Sequence, residues 1–363
     1  MDPLPPFTER HEELRAEIRG FVAEELRPHA DEWEEAGWFP NEVFARMAER
    51  GLLGLKYPRE YGGRGGDHLD DAVLSEELSR CGSGGVSAGI GAHIGIATPP
   101  VWRFGTDEQK ERFLAPAIRG ERIAALGITE PDAGSDVAGI RSFARRVDGG
   151  YVVNGSKTFI TNGVRADFVV TAVKTTEEGG HHGLSFLILE REMEGFEVSR
   201  KLEKLGWRAS DTGELAFADV FVPEENLLGE ENRGFYLIMA NFQWERLLMA
   251  LGAVGSMSAV LERVVGSVRH RHAVAEMAVK LEASRSLTYH ALRLFANGHD
   301  ALREVTEAKL LSQRAAFEVA EEAFRLTGGD LEMGRVMRDT RLGPIGGGTD
   351  EVMKEILAKQ LGL

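Results

Sequence analysis

Residues 235–261 read FYLIMANFQWERLLMALGAVGSMSAVL, a stretch without proline that is apolar on every side and whose only charges are Glu245 and Arg246. A helix hydrophobic all round is a buried helix. It is long enough to cross a bilayer, but Asn241, Gln243, Glu245 and Arg246 fall near its middle, where each charge would cost roughly 2.5–3.5 kcal/mol. The stretch therefore reads as the core helix of a soluble domain, with no membrane span. A carboxylate held there loses hydration, so its pKa rises and it becomes a stronger base. Arg246 is the next residue and points about 100° away on the helix, so it does not face Glu245. Glu245 has to find its partner elsewhere, in a ligand or in an ion pair to another helix.

The surrounding composition is that of a globular chain: 363 residues, 43% hydrophobic and 28% charged, enough for two or three domains. A net charge of -15, from 58 acidic against 43 basic residues, disfavours nucleic acid or an anionic membrane as a general partner. The single cysteine, Cys81, has no internal disulfide partner and fits a reducing compartment. The opening MDPLPPF lacks a basic and an apolar signal region, so the cytoplasm is the expected location.

Working outward from the core helix, the chain divides by period. Leu14, Ile18, Phe21, Val22 and Leu26 keep helical spacing up to Pro28, and further helices are expected near 41–50 and 70–79. Thr106 with Gln109 forms a capping box that opens a helix through Leu114. Residues 1–120 are thus expected to form a helical domain, in which GGRGG and CGSGG read as turns rather than phosphate loops. From 121 to 230 the pattern is short β-branched and aromatic runs, at 151–153, 159–161, 168–173, 184–189 and 214–222. Asp148-Gly149, Asn154-Gly155 and Asn162-Gly163 read as the turns between them. This is a compact, β-barrel-like domain with no room for a Rossmann fold. Residues 231–363 return to helices: the core helix, then 273–296, 302–326 and 351–361, a C-terminal four-helix bundle. The fold class expected is mainly α with a central β domain.

Four segments, Gly127-Ile128-Thr129-Glu130-Pro131-Asp132-Ala133-Gly134-Ser135-Asp136, Asn154 to Gly163 (NGSKTFITNG), Leu205 to Thr212 (LGWRASDT) and Gly347-Gly348-Thr349-Asp350-Glu351, stand in the order of motifs found in one family. Together they resemble the acyl-CoA dehydrogenase family of flavoproteins, and the similarity runs from about Thr8 to Leu363. The resemblance implies FAD as cofactor, with Leu126, Gly127, Ile128 and Thr129 along the isoalloxazine edge and Gly134 and Ser135 toward the pyrophosphate and thioester end. Phe159, Ile160 and Thr161 would line the other side of the ring, and Gly328, Gly329 and Thr349 would also meet the cofactor. It implies an acyl-CoA substrate near Ser135, Phe242, Gln243, Arg246 and Gly348. Taken alone, Thr129 and Ser135 would be turn hydroxyls and Phe159 a core residue. The chemistry needs a carboxylate for the α proton, donors on the thioester oxygen and a flavin N5 facing the β hydride.

Many family members carry the base as a Glu at the position of Gly347. This chain has Ile345-Gly346-Gly347-Gly348-Thr349 there, whereas Gln243-Trp244-Glu245-Arg246-Leu247-Leu248 is similar to the version that places the base on the core helix, in long-chain and isovaleryl members. Glu245 is thereby the expected base, and the product a trans-2-enoyl-CoA. An electron-transferring flavoprotein is the implied acceptor, and a homodimer or homotetramer the implied assembly. Two stretches depart from the family pattern. An R-x-x-F-G-x-P-x-x-x-Q segment is missing near 266–272, and a GGYGY-like loop is shortened near 329–335, where residues 328–334 read GGDLEMG; in the family both reach a neighbouring subunit's FAD. Arg269, His270 and Arg271 are either replacement diphosphate contacts or an exposed turn. The alternatives are an acyl-CoA or nitroalkane-type oxidase using oxygen and a flavin-free acyl-CoA-binding scaffold. His181-His182, between glycines in a hairpin loop, reads as solvent-facing, and no metal is expected.

Overall fold

The computed structural model describes residues 4–176, 180–266 and 270–363. The chain begins with α1 (Glu9–Phe21), α2 (Ala30–Ala36), α3 (Glu42–Glu49), α4 (His68–Leu78), α5 (Gly84–Gly91), α6 (Thr98–Phe104), α7 (Asp107–Gln109) and α8 (Ala115–Ile118). Single π turns carry α1 on to Leu26, join α5 to α6 through Ala92–Ala97, and join α7 to α8. At Thr106 the capping box forms as expected: Gln109 N donates to Thr106 Oγ1 and Thr106 N donates to Gln109 Oε1. The glycine run at 62–66 is a tight turn, because a Cβ at Gly63 would overlap the Tyr57 carbonyl.

The middle of the chain is one sheet: β1 (Ala124–Gly127), β2 (Phe143–Val147), β3 (Gly150–Thr161), β4 (Phe168–Lys174), β5 (Leu184–Glu190), β6 (Phe196–Lys201), β7 (Thr212–Pro223) and β8 (Leu227–Leu228). Its order is β6-β7-β3-β2-β4-β5-β8, with β1 parallel to β4. Asn154-Gly155, expected as a turn, instead lies within β3. The pairing of β3 with β7 shifts register between Val153 and Gly155, a β-bulge. Gly155 (φ 147°) presses on Ser142 there, and Asn154 exchanges hydrogen bonds of 2.9 Å with Asp219, itself at φ 53°. The residue types that favour a hairpin turn serve a bulge here because β7 is long enough to pair on both sides of it.

The C-terminal third holds α9 (Gly234–Val265), α10 (Arg271–Ala296), α11 (Leu302–Leu326), α12 (Leu331–Thr340) and α13 (Asp350–Gln360). The stretch read as a shortened loop at 329–335 is in fact the start of α12, whose Asp330 N-cap accepts from Met333 N. Helix α9 is long and apolar enough to cross a membrane, yet it contributes to three hydrophobic cores. Leu237 and Ile238 join the face of the sheet, Trp244, Leu247, Ala250 and Leu251 join the N-terminal helices, and Val254, Met257, Val260 and Val264 join α10 to α12. Helix α4 can approach because α9 has no side chain at the crossing: a Cβ on Gly255 would overlap the Glu76 carbonyl. Burial in protein, not lipid, accounts for the hydrophobicity of α9.

Candidate active site

Glu245 sits at the middle of α9, 7% exposed, on the wall of a cavity between α4, α5 and α9. The cavity comprises about 1260 Å³ of space, its open mouth included. Its nearest donor is one α-helical turn away: Asn241 Nδ2 donates to Glu245 Oε1 at 2.6 Å while also reaching the Ile96 carbonyl at 3.2 Å. Burial pushes the Glu245 carboxyl up to about 7, against the opposing pull of the Asn241 hydrogen bond and the Arg246 charge. A carboxylate so poised is half ionised near neutrality, the condition for a general base. Asn241→Leu removes the donor, so the acid limb of the kcat/KM profile should move to higher pH with activity lost at and below neutrality. An unmoved limb would show that Asn241 does not tune the base.

Arg246 turns away from Glu245, as expected. Its guanidinium carbon lies 5.5 Å from the Phe242 ring, and its buried Nε has no hydrogen-bond partner. Above it is the loop Gly346 to Thr349, where a Cβ on Gly348 (φ 95°) would stand 3.7 Å from that Nε. Lys309, fully buried on the inward stripe of α11, fixes this loop by donating to the Gly348 carbonyl at 2.6 Å. Thr349 caps α13 by accepting from Val352 N. Gly347 adopts φ 61°, and a Cβ there would overlap Met249 Sδ unless that side chain moved, so the position carries no carboxylate and little free space. Gln243 is half-buried beside this group and does not line the cavity.

A second cluster is built on the sheet. The loop after β1 is tied to β3 by Thr158 N to the Thr129 carbonyl (2.9 Å) and by Lys157 Nζ to the Ile128 carbonyl (3.1 Å). Glu130 anchors the loop from below, accepting from Lys157 Nζ (2.8 Å), Arg141 N (2.5 Å) and Ser142 N (2.9 Å). Burial alone would raise its carboxyl, but Lys157 and these donors hold it below the usual range. Opposite the loop, Phe159 stands 67% exposed at φ 59°, in a register shift of the β3–β7 pairing. A non-glycine residue at positive φ is locally strained, and here that strain holds an aromatic ring outward. Thr129 is half-buried beside it, and Gly134 and Ser135 are exposed on the same loop.

Leu126 and Gly127 end β1, half-buried and buried. The side chains of Ile128 and Ile160 lie in the cores on either side of the sheet, so only their backbones are available to a ligand. Thr161 lines the Glu245 cavity and links the two clusters. Gly328 and Gly329, both exposed and left-handed, follow the end of α11, and a Cβ on Gly329 would stand 3.8 Å from the Phe324 ring whereas one on Gly328 would meet nothing within 4 Å. They are not part of the strand cluster in this chain. Arg269 lies outside the described residues, while Arg271 opens α10 as an exposed residue and His270 is exposed at its N-cap. His181 and His182 are exposed, with the His181 ring 4.9 Å from Phe235. The compact group His11, Asp67 and Asp70 is already engaged in helix caps and in Arg10.

Sequence reasoning missed the roles of Glu130, Lys157, Lys309 and Trp207. The signal for Lys309 was present, as it falls on the apolar stripe Val305, Ala308, Ser312, Ala316 of α11. Trp207 forms part of the cavity wall through the glycine turn at 82–85, where a Cβ on Gly84 would meet its indole at 2.7 Å.

The chain thus sets a buried carboxylate on the wall of an apolar cavity and carries an exposed aromatic on a sheet that stands between two helical segments. The sequence comparisons name the family. Three family models match in succession: the acyl-CoA dehydrogenase N-terminal domain over residues 8–121, the middle domain over 125–220 and the C-terminal domain over 232–362. The chain belongs to the acyl-CoA dehydrogenase family. It is 36% identical to the isovaleryl-CoA dehydrogenase of Arabidopsis thaliana over 376 residues (98% of this chain, 92% of that one). It is also 36% identical to the mouse long-chain specific acyl-CoA dehydrogenase over 378 residues (98% and 87%). Both alignments are longer than the 363-residue chain itself, so positions of these relatives have no counterpart here. An acyl-CoA dehydrogenase structure from Geobacillus kaustophilus superimposes with a TM-score of 0.96 at 38% identity, covering 99% of this chain and all of that one. The FAD complex of PigA does so with a TM-score of 0.95 at 27% identity, covering 100% of both chains.

Proposed function

We propose that the protein is an FAD-dependent acyl-CoA dehydrogenase that converts an acyl-CoA thioester to the trans-2-enoyl-CoA, with Glu245 as the base. The observation that carries this reading is Glu245 itself: a carboxylate at the wall of an apolar cavity, with one neutral donor and a pKa raised to about 7. Glu245 takes the proton from the α carbon, and the pair of electrons it leaves behind drives loss of hydride from the β carbon. FAD, when bound, supplies the two-electron acceptor for that hydride. The residues present fit it: Phe159 offers an exposed ring face, and Thr129, Ser135 and the backbone from Leu126 to Ile128 form an edge held rigid by Lys157 and Glu130. Phe242, Gln243, Arg246 and Gly348 are assigned to the thioester and its carrier, supported by the unpartnered Nε of Arg246. Gly328 and Gly329, remote on α11, would serve FAD from a second copy in a homodimer or homotetramer. An electron-transferring flavoprotein is the proposed acceptor of the electrons, and the cytoplasm the proposed location.

Anaerobic addition of acyl-CoA to the purified flavin-loaded protein is expected to bleach its visible absorption. A flavin band that acyl-CoA leaves unchanged would sink the dehydrogenation reading, and failure to take up FAD at all would favour a scaffold. Peroxide formed in air at the turnover rate, with no added acceptor, would reassign the protein as an oxidase.

A further inference from the structure

The cavity does not stop at the base. Along α9 its wall passes from Glu245 through Leu248, Met249, Gly252 and Ala253 to Ser256. This is a single helix face at three- and four-residue spacing, rising roughly 16 Å, the length of an extended chain of about a dozen carbons. The facing walls carry small residues, Ser75 on α4, Ser79 just after it, and Ala88 and Gly91 on α5, among the larger Leu74, Leu78 and Ile94. Two glycines on that side behave differently. A Cβ on Gly95 would come within 2.6 Å of Leu248 Cδ1, so the wall there is packed shut. One turn away, a Cβ on Gly91 would meet no atom within 4 Å although its backbone is helical (φ -60°). Gly91 is itself a half-buried lining residue, so the open space beside it belongs to the cavity or its mouth. The lining also holds Asp339, a buried carboxylate whose oxygens accept from Gly84 N (2.8 Å) and Trp207 N (2.6 Å). It would repel an acyl group ending in a second carboxylate.

From this geometry we propose that the acyl specificity is for straight, unsubstituted chains of medium to long length, about a dozen carbons, with Gly91 as the specificity-determining residue. The proposal rests on Glu245 marking the reacting end of the acyl group. A short or branched acyl group would leave most of the channel beyond Leu248 unfilled. Each further methylene buried in it should tighten binding roughly fourfold.

Binding is best separated from turnover by using Glu245→Gln holoenzyme and measuring Kd calorimetrically for butyryl-, isovaleryl-, octanoyl- and dodecanoyl-CoA. The expected result is a Kd at least 100-fold lower for dodecanoyl- than for butyryl-CoA, with isovaleryl-CoA no tighter than butyryl-CoA. Adding Gly91→Leu should cut the dodecanoyl-to-butyryl ratio at least tenfold. Ser256→Leu, three turns from the base, should reduce the same ratio and serves if the first variant fails to load FAD. A Kd independent of chain length, tightest binding of isovaleryl-CoA, or a ratio unmoved by a loaded variant would each overturn the proposal. Chain-length-dependent binding with no flavin bleaching in the unmodified enzyme would instead leave the channel in place and remove the dehydrogenase reading.

Discussion

Glu245→Gln should lower kcat by about 10²–10⁴-fold, the range for loss of a positioned general base, with FAD and acyl-CoA still bound. The amide keeps the shape of the side chain and can still accept from Asn241, so the cavity wall stays in place. What disappears is a group able to take a proton near neutrality, a property that burial gives Glu245 by raising it to about 7. Removing an incompletely paired buried carboxylate should leave thermal stability unchanged or higher, so lost activity could not be blamed on unfolding. For the unmodified enzyme kcat/KM should fall about tenfold per pH unit well below that value, as the carboxylate of the free enzyme becomes protonated. Steady-state assays across pH, with the flavin spectrum recorded on the same samples, check both. Turnover retained within a few-fold would place the base elsewhere. Within this site no second carboxylate is available at Gly347, where Met249 fills the space.

Lys157→Met should reduce unfolding free energy by about 3–5 kcal/mol, the cost of stranding one partner of a buried ion pair. Lys157 is fully buried, its ammonium is 2.8 Å from Glu130, and burial lowers it only to about 8, so it remains largely charged at neutral pH. The change also removes the donor to the Ile128 carbonyl, the tie that sets the loop carrying Thr129 against β3. Urea unfolding should therefore show a lower midpoint, and FAD should dissociate more readily from the folded variant. The double change Lys157→Met with Glu130→Gln, which removes the stranded charge but keeps an amide oxygen as acceptor for the backbone donors of Arg141 and Ser142, separates the two effects. If charge stranding dominates, it recovers stability without restoring FAD affinity; if neither variant weakens FAD, the tie to Ile128 is not what orders the loop.

The class of the fold was legible because it rests on local pattern. A proline-free helix apolar on every side has to be a core element, the change from helical to alternating period marks the sheet, and Thr106 with Gln109 states a helix start directly. Glu245 was legible as a candidate, since a lone carboxylate in such a helix is conspicuous without coordinates, and the family resemblance, not its spacing, made it the expected base. Local pattern misled where two structures share one chemistry. Asn154-Gly155 satisfies a hairpin turn and a bulge equally, and only the length of β7 decides between them. Residues 331–340 lacked a clear signal because α12 is short and its helix is stabilised by docking on α11 and by the Asp330 cap.

What the sequence determined by itself is the order of helix, sheet and helix, the motifs that place the chain in its family, and the identity of Glu245. These depend on residue type and spacing along the chain. Only the tertiary structure decided that Asn241, not an ion pair, accompanies the base, that Lys157 and Glu130 hold the Thr129 loop, and that space lies beside Gly91 while Gly95 is closed. Asn241 is only one turn from Glu245 on α9, but whether another helix brings a cation to that carboxylate is a tertiary fact, and the other features are contacts, or gaps, between segments distant in sequence. Glycine reads the same in the chain whether its missing side chain leaves room for a neighbouring helix or for a ligand.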